Sequence, residues 1–422
     1  MRKRNTKYII AMFFGLVITN VQAQNYLSPF SKFGLGEQMP SSYSAQRAMG
    51  DVSIAFGDEN LISATNPASY SNLTSLVFET AANAYFYQVS SSSDQFSNKD
   101  YRLPYFAFAL PLDKKIGWGF SFGLRQESKI GYLFQQSYAS PISYNEIYEG
   151  SGGYSKFYLG TSIRIIKNLS FGVNVGYYFG TQQINQRIDF DSVSPVSTHR
   201  DVYTNIGNLS FDFGLQYKIK TGEKSALQFG LTTTLPGSFS AHQDLYYNSF
   251  VTINGTNYVA DSILKTLQAS GKVIMPATYG FGVQWKNEKW LISADYKMQT
   301  WSDFRFFDRN DSLHNLSSVG VGLQYSPAGN DIYARFTERI KYRIGFRYTQ
   351  TYYNINNTQP VDMRLTFGVG LPIVKSGSAV NLSFELGQLG DISKNSIRQR
   401  YMGVTVGFHL FDDNWFRKRF ID

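Results

Sequence analysis

From about residue 75 onward, apolar side chains recur at every second position. Phe171, Val173, Val175, Tyr177 and Phe179 alternate with Gly172, Asn174, Gly176 and Tyr178. Phe211, Phe213, Leu215, Tyr217 and Ile219 do the same, as do Val319, Val321, Leu323 and Tyr325. Tyr342, Ile344, Phe346 and Tyr348 repeat the pattern, and so do Val404, Val406, Phe408 and Leu410. A period of two predicts β-strands with one apolar face and one small, polar or charged face. The runs are roughly 10–16 residues long, against 5 or 6 for strands of soluble proteins. Crossing a membrane takes about 9–11 tilted residues. The partner face is rich in Gly, which is uncommon on the water-facing side of a soluble sandwich. Apolar outside and polar inside is the pattern of a membrane barrel. The predicted fold is all-β: a transmembrane antiparallel β-barrel of about fourteen strands with an N-terminal hatch inside the lumen.

Connections alternate in length. Short turns fall at Pro111–Lys115, Lys167-Asn168, Thr221–Glu223, Lys286–Lys289 and Ser376–Ser378. Longer polar loops are predicted around 88–101, 128–155, 184–204, 237–272, 302–316 and 350–360. Turns facing the periplasm and loops facing out match an outer-membrane barrel. Ile263, Leu264 and Leu267 lie at helical spacing and predict a short amphipathic helix over the mouth. Strand boundaries are least defined at 326–340 and 387–398.

Residues 24–72 break the rhythm. Small residues (Ala48, Gly50, Ala55, Gly57, Ala64, Ala68) alternate irregularly with a few apolar ones, and the run closes on Asn66-Pro67-Ala68. Small residues allow tight backbone packing, and Asn-Pro marks a turn or helix start. This segment predicts a plug, followed by a barrel over 73–411 and a basic-aromatic tail over 412–422 that includes Trp415, Arg417 and Arg419. The tail is expected at the periplasmic lipid interface.

Composition adds an export signal. Arg2, Lys3, Arg4 and Lys7 precede an apolar run over Tyr8–Val17, and Val21-Gln22-Ala23 supplies small residues for cleavage after Ala23. Residues 1–23 therefore read as a signal peptide, which directs the chain to the outer membrane. Its loss, with no acidic residue, lowers the formal charge from +9 to +5. That surplus is small for so long a chain, and no compact basic patch points to nucleic acid. The chain has no Cys, so disulfides play no part. Its 30 Tyr and 34 Phe coexist with a mean hydropathy of −0.25, as expected of a barrel bathed in outer-membrane lipids.

Candidate chemistry is sparse. His199, His242 and His314 fall in predicted loops and His409 on a strand, without ligand or base spacing. No catalytic residue, metal or cofactor is expected. Alternation turns Arg125, Arg164, Asp212, Lys218, Asp295, Lys297, Arg343, Arg347 and Glu385 toward the lumen. Arg125, Arg164, Lys218, Lys297, Arg343 and Arg347 are candidates to hold an anionic headgroup, with Arg343 and Arg347 the preferred pair. The competing expectation is that they pair with internal carboxylates and the plug. Asn66, Pro67, Ala68, Gly50 and Gly57 are either a hinge of the hatch or the turn that fixes its junction with the barrel.

The chain resembles the FadL/toluene-transporter family of outer-membrane proteins. The likeness rests on the small-residue segment ending in Asn66-Pro67-Ala68, the turn Asp113-Lys114-Lys115 leading into Gly117-Trp118-Gly119, and the strand count. It implies passive uptake of hydrophobic or amphipathic small molecules, fatty-acid-like, through a plugged barrel with a lateral opening. Similar plugged barrels serve as non-transporting subunits of envelope assemblies such as the type-nine protein secretion system. The tail, which departs from the usual terminal strand closing on an aromatic residue, suits docking to such a protein partner.

Overall fold

The computed structural model describes residues 28–139, 142–190, 196–253, 256–329, 331, 333–373 and 378–412. The signal peptide, its cleavage site and the tail beyond 412 lie outside these residues. Strand β1 (Glu37–Gln38) precedes a long series: β2 (Leu76–Ser91), β3 (Gln95–Arg102), β4 (Tyr105–Asp113), β5 (Trp118–Tyr138), β6 (Tyr144–Ile166), β7 (Leu169–Phe190) and β8 (Ser197–Lys220). There follow β9 (Ala226–Thr234), β10 (Gly237–Ile253), β11 (Thr256–Met275), β12 (Thr278–Lys286), β13 (Trp290–Gln299) and the two-residue β14 (Arg305–Phe306). The series ends with β15 (Leu316–Tyr325), β16 (Lys341–Gln350), β17 (Val361–Pro372), β18 (Ala379–Leu389) and β19 (Ile397–Asp412).

Proline divides three wall strands. β3 and β4 part at Leu103-Pro104, β9 and β10 at Leu235-Pro236, and β11 and β12 at Pro276-Ala277. Proline offers no N–H to the ladder, so pairing is interrupted there. Both halves of the first still pair with β2, and both halves of the second with β8. With each divided strand counted once and β1 and β14 set aside, the wall has fourteen antiparallel strands. β19 pairs with β2 from Ile397↔Ser91 to Asp412↔Leu76, which closes the ring and removes its edges.

The wall has two unequal sides. β13 and β15–β18 are 10–12 residues long, whereas β5–β8 run to 21–24. A crossing uses about 9–11 residues, so the long strands continue well beyond the bilayer. The predicted loops at 88–101, 128–155, 184–204 and 237–272 are largely these extensions. Their polarity inverts, which is why they resemble loops in sequence. On β7 the outward series passes from Val175, Tyr177 and Phe179 to Thr181, Gln183 and Asn185. On β8, buried Asp212 and Gln216 face inward low down, and buried Ile206, Thr204 and Val202 above. β5 changes phase at a bulge between Gln126 and Ser128, which turns Ile130 and Tyr132 inward. Outside the bilayer, water takes the place of lipid, and the apolar face turns in.

The expected helix around 261–270 is strand. It belongs to β11, whose backbone pairs with β10 from Gly237↔Met275 to Ile253↔Thr256 through several register shifts. An open strand edge beside it satisfies its backbone groups better than an isolated short helix would. Residues 326–340 connect β15 to β16 on the side of the short turns, with a 3₁₀ turn at Phe336–Arg339. Residues 390–396 form a loop holding one helical turn, Ile392–Asn395.

Residues 28–73 lie inside the ring, mostly buried. Wall glycines make the space: Gly119, Gly172, Gly230, Gly322 and Gly345 each face backbone of this segment, where a Cβ would collide. Gly50 needs its own lack of a Cβ twice over. It has φ +68°, and a Cβ there would sit 2.7 Å from the carbonyl oxygens of both Val321 and Phe346.

Candidate functional site

Asn66-Pro67-Ala68 is a capped turn. The Asn66 side chain accepts from the Ala68 N–H at 3.1 Å, and Pro67 opens the 3₁₀ turn Pro67–Asn72. The Asn66 amide also donates to the Ile54 carbonyl at 2.7 Å and the Leu215 carbonyl of β8 at 3.1 Å. One side chain thus ties two parts of the interior segment to the wall. Gly57 lies against the Gln228 amide, where a Cβ would displace it.

Charge holds the opposite side. Asp51 pairs with Arg364 at 3.1 Å and approaches Arg347 at 3.7 Å, and Ser42 donates to it. Burial opposes ionisation of Asp51, but Arg364, Arg347 and Arg47 outweigh it and hold the carboxyl below the usual range. Arg347 donates to the Gly50 and Asp51 carbonyls at 2.9 Å each and to Ser318 Oγ at 2.8 Å. Arg364 also meets Glu385 at 3.3 Å, and Glu385 faces the fully buried Arg47 at 3.7 Å. Asp295 accepts the Ser53 and Ile54 N–H groups at 2.5 and 2.8 Å. Asp58 pairs with Lys286 at 3.0 Å. Charges in so confined a space persist only when paired.

The wall has a seam. β3 pairs with β2, and among the described residues it forms no ladder with β5. Instead β5 beyond Arg125 receives β1, through Glu37↔Lys129 and Gln38↔Ser128. Met39 N–H donates to Glu127 at 2.8 Å and Ser28 N–H to Gly131 at 2.7 Å. Asp100 of β3 reaches across to Lys129 of β5. Above the seam filler, Phe30 and Leu35 pack with Ile130, Tyr132, Trp301 and Tyr352 in an apolar cluster.

Behind β1 lie two cavities. One, ≈140 Å³, is bordered by Leu35, Ile54, Arg125, Asp212, Lys297 and Trp301. The other, ≈130 Å³, is bordered by Asp51, Asp295, Lys297, Arg347, Tyr352 and Leu389. Gln38, Met39 and Lys297 border both. A cavity of this size accepts a small aromatic molecule or a few waters.

The sequence candidates divide among three places. Arg125 and Lys297 line the cavities; Arg125 pairs with Glu127 at 2.5 Å, and Lys297 has no ion pair among the described residues. Arg343 and Arg347 do not act together: Arg343 donates to Gln324 and Asn381 at 2.8 Å each, while Arg347 grips the interior segment. Arg164 and Lys218 lie at the rim that carries the short turns, below the interior segment, where Arg164 donates to the Ser71 carbonyl at 3.1 Å. His409 is a buried lumen residue 3.0 Å from Glu79. His199 and His242, expected in loops, are on β8 and β10, bonded to Asp189 and Ser270.

Sequence reasoning missed Arg47, Asp51, Asp58 and Arg364, the charged residues that fix the interior segment. The available signal was charge within a run of small residues, since a buried charge demands a partner.

No curated protein sequence matches the chain. Among solved structures it is similar to the Ralstonia pickettii toluene transporter TbuX, with TM-score 0.58, 13% identity, and coverage of 88% of this chain and 98% of that one. It is also similar to the Pseudomonas putida toluene transporter TodX, with TM-score 0.58, 16% identity and coverage of 89% and 99%. A Pseudomonas aeruginosa FadL homologue gives TM-score 0.56, 12% identity and coverage of 90% and 99%. At such identities the likeness is one of fold, that of outer-membrane barrels of the FadL type. The BamG family model matches residues 5–422. The chain belongs to the BamG family.

Proposed function

We propose that this protein is an outer-membrane channel for passive uptake of hydrophobic or amphipathic small molecules, with residues 28–73 as its hatch. The observation that carries this reading is the seam. The cavities lie directly behind β1, and β1 occupies the place where β3 and β5 would otherwise pair. A two-residue strand is a weak ladder, so its release opens a sideways path without unfolding the ring. Lys297 offers an anionic headgroup a cation beside apolar Leu35 and Ile54. The fold likeness to the toluene transporters supports the same reading.

The natural lack of Cys permits a direct test. A Gln38→Cys/Ser128→Cys pair, at register partners, would staple β1 to β5. Uptake of a fluorescent fatty acid by proteoliposomes should cease on oxidation and return on reduction. Uptake indifferent to the staple would remove the seam from the mechanism. Deleting 28–70 should raise non-specific conductance, and an unchanged conductance would count against a plug.

A second reading, a sealed barrel serving as a subunit of an envelope assembly, is favoured by the ionic network around Asp51. It predicts no uptake with or without the staple, and co-purification of a larger partner.

A further inference from the structure

The periplasmic mouth holds a feature that transport does not use. Below the interior segment lies a vestibule of ≈690 Å³, ringed by the short turns between wall strands. Seven Lys or Arg residues line it against three Glu, so its field is strongly positive. Three of the cations are engaged: Lys224 with Glu288 at 3.1 Å, Lys286 with Asp58 at 3.0 Å, and Arg164 with the Ser71 carbonyl. Lys114, Lys167, Lys218 and Lys220 have no carboxylate partner among the described residues. Lys114 and Lys167 come from two different turns and Lys218 and Lys220 from the end of β8, so the four are spread along the rim rather than converging on one point.

From this arrangement we infer that the vestibule is a docking site for an acidic peptide segment of a periplasmic protein. Two observations select that occupant. Its walls belong to the lumen side of the barrel mouth, so bilayer headgroups outside the ring do not face it. The free cations are lysines, spaced point charges that suit successive carboxylates better than one phosphate, for which a guanidinium fork is favoured. The vestibule shares no lining residue with the cavities above, and Gln216 on its wall holds the interior segment between them by donating to the Ile54 and Phe56 carbonyls. Docking is therefore separate from uptake and holds whether or not the channel reading survives.

The test uses the full-length barrel in an uncharged detergent and a short fluorescent peptide alternating Glu with Ser. Anisotropy should report saturable binding that weakens as salt is raised. The triple variant Lys167→Glu/Lys218→Glu/Lys220→Glu should bind at least about tenfold more weakly. The milder Lys167→Gln/Lys218→Gln/Lys220→Gln variant should weaken binding less, and it serves if charge reversal impairs folding. Equal affinity of both variants and the native chain would overturn the proposal. So would equal binding of a peptide with Gln in place of Glu. Displacement of the peptide by inorganic phosphate, at concentrations where acetate has no effect, would reveal a phosphate site and also overturn it.

Discussion

The two sides of the wall hold the same interior segment by different means. On the short side, Asp295, Arg347, Arg364 and Glu385 grip it through ions and ion-to-backbone hydrogen bonds. On the tall side, neutral groups do most of the work beside the Arg164 bond to the Ser71 carbonyl: Tyr43 meets Tyr158 at 2.9 Å, Tyr70 meets Asn174 at 3.1 Å, and Asn66 meets the β8 backbone. β1 adds its two-residue ladder there. Buried ions are hard to separate, because each partner left behind is stranded. Neutral hydrogen bonds exchange with water at about 1 kcal/mol each. The segment is therefore anchored on the short side and releasable on the tall side, where the seam lies.

The sharpest attack on this contrast is Asp51→Leu, which leaves Arg364 and Arg347 short of a partner. A loss of about 3–5 kcal/mol is expected, read as early proteolysis of the N-terminal segment in an otherwise folded barrel. Next comes the outer surface. Val321→Arg, on the lipid face of the short side and 45% exposed, should destabilise the barrel by about 2–4 kcal/mol in bilayers. Asn66→Ala removes the cap and the tie to β8, and should loosen the segment by roughly 1–2 kcal/mol. The smallest effect belongs to Gln135→Arg on the outer face of the tall extension. It should change stability within about 0.5 kcal/mol, measured by the same urea titration as Val321→Arg. A Gln135→Arg penalty as large as that of Val321→Arg would place lipid against the extension and abolish the polarity inversion.

Much of the wall could be read directly from alternation. Val319, Val321, Tyr342, Ile344 and Phe346 all face outward, and Asp212, Asp295, Arg343 and Glu385 all face inward, as their spacing requires. The tall extensions were illegible because their hydrophobic phase inverts. Thr181, Gln183 and Asn185 in place of Val and Tyr look like a loop when the outward face is assumed to be greasy. Ile263, Leu264 and Leu267 satisfy a helical spacing, but an adjacent strand edge decided the backbone. At the site, periodicity named wall cations without saying which share a place, since Lys297 and Arg125 meet only through closure of the ring. The seam rests on Glu37-Gln38, two polar residues with no strand signature at all.

Closure also sets an order of events. The sixteen register pairs between β2 and β19 join residues near the two ends of the chain. They cannot form until the whole wall has been delivered, and contacts so distant in sequence are reached late. Arg47, Asp51 and Glu385 are buried inside the finished ring, and Asp51 takes its partners from β16 and β17, and Arg47 from β18, near the far end of the chain. The ionic grip on the interior segment therefore joins the two ends of the chain, as the closing ladder does. A wall lacking its last strands is expected to hold that segment by the tall side alone.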